Sequence, residues 1–107
     1  MSRIDDYQEL IAVYDPENAA NYPKMSDSFL PNRYDGQEQV IAFLRSGELG
    51  SMPVGFMVDV ISGEQTTLRD SGRSFGSYSW GEGLAYYVDK YNLKLPDDIT
   101  EFILNQS

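Results

Sequence analysis

Apolar residues recur at helical spacing in four segments of the chain. The first segment follows Ser2, a residue type that caps helix N-termini, with Asp5 three residues later. This helix is expected to end at Asp15-Pro16, because the residue before a proline avoids the α region. The expected apolar face of the first helix consists of Ile4, Tyr7, Leu10, Ile11 and Tyr14.

Residues 15–34 have the composition of a loop, with prolines placed among Asn, Ser and Asp. After this loop, Asp35 is an N-cap candidate, and Glu38 stands at the offset of a capping box. Gly47 supplies a stop signal at the C-terminal end. These signals predict a second helix, and its buried face is expected to be Val40, Ile41 and Leu44, with Phe43 beside it.

The pattern changes to the alternation of a strand over residues 54–61. Ser62-Gly63 is a turn signal, and residues 64–69 favour a second strand because they contain two threonines and a leucine. A turn at residues 70–72 leads to a third strand over residues 74–79. Three short strands joined by tight turns predict an antiparallel meander. In the first strand Val54, Phe56, Val58 and Val60 alternate with Gly55, Met57, Asp59 and Ile61.

Two further helices are predicted near the C-terminal end. Ser79 and Glu82 form another capping-box pattern, which opens a helix that continues to about Tyr91. Its expected buried face is Leu84, Tyr87, Val88 and Tyr91. Pro96 near the first helical position, followed by two aspartates, predicts a last helix. The inward face of that helix is expected to be Ile99, Phe102 and Ile103.

Together these elements predict one α+β domain over residues 1–107. A small antiparallel three-stranded sheet would pack against about four helices. Hydrophobic residues make up 41% of the chain and aromatic residues 13%, which is enough apolar material for a core. No internal repeat or long linker divides the sequence, so a single globular domain is expected.

The chain contains no histidine and no cysteine, the usual proton shuttle and the most nucleophilic ordinary side chain. The absence of cysteine also removes disulfides and thiolate metal sites, and it fits a reducing cytoplasm. The N-terminal segment lacks the apolar run of a signal peptide, and no stretch approaches the roughly 20 apolar residues that span a bilayer. We therefore expect a soluble, cytoplasmic protein.

Carboxylates are the main catalytic groups that remain. Both of their clusters stand where first-turn acids stabilise a helix, whereas a glycosidase or a divalent-metal site needs carboxylates that converge on one cavity. The glycines match neither a P-loop nor a dinucleotide-binding fingerprint, and no Ser-x-x-Lys pair is present. We expect no enzymatic activity, no metal ion and no cofactor. The two clusters are Asp5, Asp6 and Glu9, and Asp97, Asp98 and Glu101.

Net charge is the strongest remaining indication of what the protein binds. Seventeen acidic residues face eight basic ones, for a formal net charge of −9. Such a surface repels nucleic acid and anionic lipid, and it accelerates encounter with a basic partner. The alternative is that the acidity serves only solubility.

One helix face combines an aromatic residue with acids. At about 100° per residue, Tyr86 points away from Leu84 and towards the side shared with Glu82 and Asp89. An outward tyrosine between two acids is a candidate anchor for a basic partner, since aromatics are enriched at interface hot spots. Alternatively, Tyr86 packs under the loop of residues 15–34 or on another element. Three acids near the hairpin turns would extend the acidic face: Asp59, Glu64 and Asp70.

The second half of the chain resembles small acidic bacterial immunity proteins. The similarity rests on Tyr78-Ser79-Trp80, Leu84-Ala85-Tyr86-Tyr87-Val88 and Tyr91-Asn92-Leu93-Lys94-Leu95-Pro96, with an upstream Asp70-Ser71-Gly72 turn. A further similar segment contains Pro31, Tyr34, Gly36, Ile41, Leu44 and Gly47. The resemblance implies a protein of polymorphic toxin or contact-dependent inhibition systems that neutralises a cognate toxin, often a basic nuclease. It implies no individual binding residue.

Three functional hypotheses follow. The first is an inhibitory, immunity-type protein that covers a basic surface on a toxin. The second is a phage- or plasmid-type nucleic-acid mimic, which needs carboxylates spaced like phosphates along one face. The third is a non-enzymatic structural or assembly module, for which a large apolar patch and a stable homodimer would be expected.

Overall fold

The computed structural model describes residues 2–50, 55–69 and 71–106, and it has the mixed α+β class expected from the sequence. Helices and strands are short, and most of the strands lie in the second half of the chain. In chain order the elements are β1 (Ser2–Arg3), α1 (Gln8–Ile11), α2 (Pro16–Ala19), a 3-10 helix (Met25–Ser28), α3 (Gln37–Ser46), β2 (Glu48–Leu49), β3 (Phe56–Val58), β4 (Gln65–Arg69), β5 (Gly72–Phe75), β6 (Tyr78–Gly81), α4 (Gly83–Tyr91) and α5 (Asp97–Leu104).

The described strands form two sheets, so the predicted three-stranded meander is wrong. One sheet has four strands in the order β1-β6-β5-β2, in which β1 runs parallel to β6 and the other pairs are antiparallel. The other sheet is the antiparallel pair β3-β4. The strand predicted over residues 74–79 is instead a hairpin, because Gly76 at φ 59° turns the chain between Phe75 and Tyr78. Val54 lies outside the described residues.

The helix predicted from Ser2 begins only at Gln8. The backbone amides of Ser2 and Ile4 donate to the carbonyls of Ser77 and Ser79, and this pairs β1 with β6. Strand pairing across 76 residues therefore overrides a local helical periodicity. The segment predicted to be a loop over residues 15–34 contains two short helices, α2 and the 3-10 helix.

The second predicted helix is confirmed as α3, with Val40, Ile41 and Leu44 buried. The expected capping box is wrong, since Gly36 at φ 86° stands at the N-cap position and no side chain caps the helix. Gln37 takes a related role: its side-chain oxygen accepts from the amide of Tyr34 at 3.0 Å.

The third predicted helix is confirmed as α4, but it starts at Gly83. Ser79 belongs to β6, and Glu82 makes no cap hydrogen bond, so this capping box is also wrong. The last helix is confirmed as α5, with Ile103 buried and Ile99 and Phe102 partly buried.

The core lies between α3, α4 and the four-stranded sheet. Trp80 of β6 is 1% exposed, and its ring nitrogen donates to the carbonyl of Leu44 in α3 at 3.0 Å. Leu93 and Leu95 carry the core towards α5. Within the described part of the chain, no helix combines the length and the apolar character needed to cross a membrane.

Candidate partner-binding surface

The outer side of α4 is joined to the β3–β4 hairpin through one carboxylate. Asp59 Oδ2 accepts hydrogen bonds from the hydroxyls of Tyr86 and Tyr91, both at 2.7 Å. Asp59 Oδ1 accepts from the backbone amides of Ile61 and Ser62 at 2.8 and 3.0 Å. Asp59 thus closes the hairpin turn and fastens it to the helix.

The same carboxylate is completely buried. Its side chain is 0% exposed, and the Nζ atom of Lys90 lies 3.6 Å from Oδ2. Burial alone would raise the pKa of Asp59, but the hydrogen bonds from the hairpin amides and the two tyrosines outweigh it, so the pKa lies well below its ordinary value. Asp59 is therefore an ionised structural group, and the expectation that it extends an exposed acidic face is wrong.

Tyr86 packs on another element, which is the second of the two alternatives left open by the sequence. Its hydroxyl is engaged with Asp59 and also accepts from Lys90 at 3.1 Å. Burial and the hydrogen bond to Asp59 raise the pKa of Tyr86, so the hydroxyl stays protonated and donates. The ring is partly buried against the core, and it is not a free aromatic anchor.

The acids expected beside Tyr86 are engaged with the protein's own cations. Glu82 pairs with Arg73, and both side chains are 16% exposed. Asp89 pairs with Arg33 at 3.1 Å and with Arg45 at 3.7 Å. The predicted acidic face on α4 is therefore neutralised internally.

The two remaining predicted residues lie in or near the β3–β4 hairpin. Glu64 is exposed and forms no ion pair with a described residue. Asp70 lies outside the described residues. Among the five predicted residues that the structure describes, Asp59 contacts Tyr86 through its carboxylate and Glu64 through a backbone hydrogen bond, in which the Asp59 amide donates to the Glu64 carbonyl at 2.8 Å.

Unpaired acids lie elsewhere on the surface. Six cations pair with acids of this chain: Arg3, Arg33, Arg45, Arg73, Lys90 and Lys94. Glu9 forms no ion pair within the described ranges but accepts hydrogen bonds from the backbone amides of Met25 and Ser26. The other described acids form no ion pair with a described residue, and all but the half-buried Asp15 are exposed. They are Asp15, Glu17, Asp27, Asp35, Glu48, Glu64, Asp98 and Glu101.

An apolar groove lies between the end of α1 and strand β3, and sequence reasoning missed it. The groove has a volume of about 490 Å³. Leu10, Val13 and Tyr14 line one side, and Phe56, Val58 and Val60 line the other. The buried side chains at its base are Met57, Leu84 and Tyr87. We call this feature the α1–β3 groove.

The rims of the α1–β3 groove expose large apolar side chains. Val13 is 72% exposed and Tyr14 is 71% exposed, the highest values among the large hydrophobic residues described. Tyr14 was expected on the buried face of the first helix, and this expectation is wrong because α1 ends at Ile11. On the opposite rim, Phe56 and Val58 are 43% and 49% exposed.

A polar cluster closes one end of the groove. Asp5, which is 6% exposed, accepts from the amide of Gly81 at 2.7 Å and pairs with Arg3 at 3.0 Å. Asp5 was expected to stabilise the first turn of a helix, but it joins the N-terminal strand to β6. These two charged side chains therefore bind each other and leave the groove mainly apolar.

The described residues include no group of three or more acids arranged to hold a metal ion. Neither acidic cluster, Asp5, Asp6 and Glu9 or Asp97, Asp98 and Glu101, brings its three carboxylates together at one point among the described residues. Comparison of the chain with protein-family models, with curated proteins and with solved structures found no match.

Proposed function

We propose that this chain is an inhibitory binding protein that neutralises a basic protein partner, in the manner of an immunity protein that binds a bacterial toxin in the cytoplasm. The observation that carries the proposal is the division of its charges. Most of its cations are held in ion pairs with its own acids, while a second set of acids forms no ion pair with any residue that the structure describes. The net charge of −9 is therefore presented outward.

Such a surface favours rapid association. Complementary charge steers two proteins together and raises association rate constants from about 10⁵–10⁶ to as much as about 10⁸–10⁹ M⁻¹s⁻¹ at low salt. Rim charges of this kind act mainly on the association rate, and desolvated apolar contacts slow dissociation. Inhibition would follow from covering the partner's basic, substrate-binding surface. The chain itself would perform no chemistry.

The distribution of the unpaired acids favours a protein inhibitor over a nucleic-acid mimic. A mimic needs a row of carboxylates with the spacing of phosphates along one face. Here the unpaired acids are spread over the α2 region, the 3-10 helix, the segment before α3, strand β2, the hairpin and α5. No described element carries more than two of them.

A homomeric assembly module is a second candidate, and the exposed apolar rims of the α1–β3 groove favour it. Val13 and Tyr14 are adjacent, mostly exposed apolar side chains that a second copy would cover. Each of the two copies would carry a net charge of −9, and this repulsion opposes self-association at low salt. Analytical ultracentrifugation at low and high salt distinguishes the assembly module from the inhibitory binding protein. A stable dimer at both salt concentrations supports the assembly module, and a monomer supports the inhibitor.

The decisive experiment uses the neighbouring gene in the source genome. The basic effector domain encoded there would be expressed in a sensitive host with and without this chain. We expect the effector to be toxic when it is expressed alone and the cells to survive when this chain is co-expressed. The two proteins should co-elute in size-exclusion chromatography, and their affinity should fall as the salt concentration rises. A neighbourhood without a basic effector, or an effector that forms no complex with this chain, would refute the proposal.

A further inference from the structure

The α1–β3 groove is an apolar feature of the described surface that the fold itself does not fill. Burying an apolar side chain stabilises a complex by about 1.5–3 kcal/mol, so leaving several such side chains exposed on two facing rims needs a reason. Contiguous exposed apolar surface on a single domain marks a site of interaction. The groove is also concave, and its base is already packed by Met57, Leu84 and Tyr87. It can therefore receive a side chain without rearrangement of the core.

The polar groups of the groove argue against a small polar ligand. Small-molecule sites place a few polar groups so that they converge on the ligand. The charged residues lining this groove are Arg3 and Asp5, and they bind each other and the amide of Gly81. The remaining lining favours an apolar side chain.

Unpaired acids follow directly from both rims. Asp15 comes immediately after Tyr14, and consecutive Cα atoms are only about 3.8 Å apart, well inside the Debye length of about 8 Å at physiological salt. Glu17 follows Asp15 two positions later, in α2. On the other rim, Glu64 precedes Gln65, the residue paired with Val58. On that rim the Arg69 guanidinium also lies over the Phe56 ring, 4.6 Å from the ring centroid, so the acids are concentrated on the α1 side of the groove. An apolar groove with acids beside it is complementary to apolar side chains flanked by cations.

We infer that the α1–β3 groove is the docking site of the basic partner, and that it receives apolar anchor side chains from a polypeptide segment whose lysines or arginines meet the acids at its rims. This inference rests on the proposed function, because it assigns that function's partner to one surface. The arrangement follows the usual anatomy of an interface, in which apolar anchors fill a central pocket and charges lie around it. A second copy of this chain fits less well, since its net charge has the same sign.

The probe is a short synthetic peptide in which two leucines stand among lysines. One matched peptide replaces the leucines with serines, and another replaces the lysines with glutamates. We expect measurable binding of the first peptide by titration calorimetry, and amide chemical-shift changes in ¹⁵N-labelled protein that concentrate at Val13, Tyr14 and residues 56–58. Both matched peptides should bind at least tenfold more weakly. Equal binding of all three peptides, or no binding of the leucine–lysine peptide at about 1 mM, overturns the inference.

Paired variants locate the site. Val13→Ser combined with Tyr14→Ser should lower the affinity for the leucine–lysine peptide at least tenfold, because it removes the apolar side chains of one rim. The double variant should still fold, since both side chains are mostly exposed. The control is Leu49→Ser, a 48% exposed leucine on β2 that does not line the groove, and it should leave affinity unchanged. Equal losses in the double variant and the control would overturn the inference.

A second pair tests the rims. Asp15→Asn with Glu17→Gln removes two charges beside the groove, and Glu48→Gln with Glu101→Gln removes two charges from β2 and α5. We expect about a threefold or larger loss of affinity for the first pair and a smaller loss for the second. Equal effects mean that net charge alone attracts the peptide and overturn the assignment of the groove.

The inference and the proposed function can fail separately. If the chain rescues cells from the neighbouring effector and the Val13→Ser, Tyr14→Ser variant rescues equally well, the docking site is refuted and the inhibitory function stands. If no effector is neutralised, the proposed function is refuted, whatever the peptides show. If the chain dimerises through Val13 and Tyr14, so that the double variant is monomeric, the groove belongs to a homomeric interface and the inference is overturned.

Discussion

Replacing Asp59 with asparagine is expected to lower the free energy of unfolding by about 2–4 kcal/mol at pH 7. Asparagine has almost the same shape, and its remaining oxygen can still accept from the amides of Ile61 and Ser62. Its NH₂ group stands where Oδ2 was, so the hydroxyls of Tyr86 and Tyr91 lose a charged acceptor. The link between the β3–β4 hairpin and α4 would be weakened at the position where no solvent reaches the carboxylate.

The expected loss in the free energy of unfolding follows from the two lost hydrogen bonds. A hydrogen bond to a charged group contributes about 1.5–3 kcal/mol, which sets an upper limit of about 6 kcal/mol for two. Water recovers part of this, because both tyrosines are only partly buried. For a domain whose total stability is about 5–15 kcal/mol, the remaining loss is large.

The effect should also depend on pH. The pKa of Asp59 is lower in the folded protein than its ordinary value of 3.8, because the hydrogen bonds it accepts outweigh the effect of burial. A depressed carboxylate pKa gives stability that is fully present above the unfolded-state pKa and is lost as the pH falls towards the folded-state pKa. The difference between wild type and Asp59→Asn should therefore be constant at neutral pH and shrink below about pH 4.

Urea denaturation followed by circular dichroism at about pH 7 and pH 3 measures both quantities. The matched control is Glu64→Gln, which removes a charge from the same hairpin at an exposed position that pairs with no described cation, and it should change stability by less than about 0.5 kcal/mol. A loss for Asp59→Asn no larger than that of this control, or a difference that does not shrink in acid, would refute the reasoning.

Three further substitutions test the packing of the fold. Gly47→Ala should destabilise it by about 1–3 kcal/mol and alter tryptophan emission, because a Cβ atom there would stand 2.6 Å from the Trp80 ring; unaltered emission and stability would contradict this. Arg73→Met should lower the urea midpoint, with a loss of about 1–3 kcal/mol, since it leaves the partly buried Glu82 unpaired and removes a donor to the Gly47 carbonyl. Asn92→Ala should cost about 1–2 kcal/mol, because alanine is strained at φ 55° and the side-chain hydrogen bonds are lost; Asn92→Gly should cost less, and the reverse order in thermal denaturation would argue against a strained backbone.

The candidate site could be predicted only in part, and the reason is specific to each residue. Periodicity correctly set Tyr86 apart from the buried face of α4, but it could not show that the hydroxyl meets Asp59 from a hairpin 27 positions earlier in the chain. The alternation over residues 54–61 indicated a strand without indicating which side faces inward. Met57 and Asp59 are the buried ones, so Phe56 and Val58 reach the groove.

The sequence by itself determined the buried faces of α3, α4 and α5, the α+β class, the net charge and the lack of histidine and cysteine, because helical periodicity and composition are local properties. Only the tertiary structure decided that Ser2–Arg3 is a strand, since its partner Tyr78–Ser79 lies far along the chain. It also decided which acids are neutralised. Ion pairs and burial depend on which distant segments meet, so Asp59 became a structural group and the α1–β3 groove became the candidate surface.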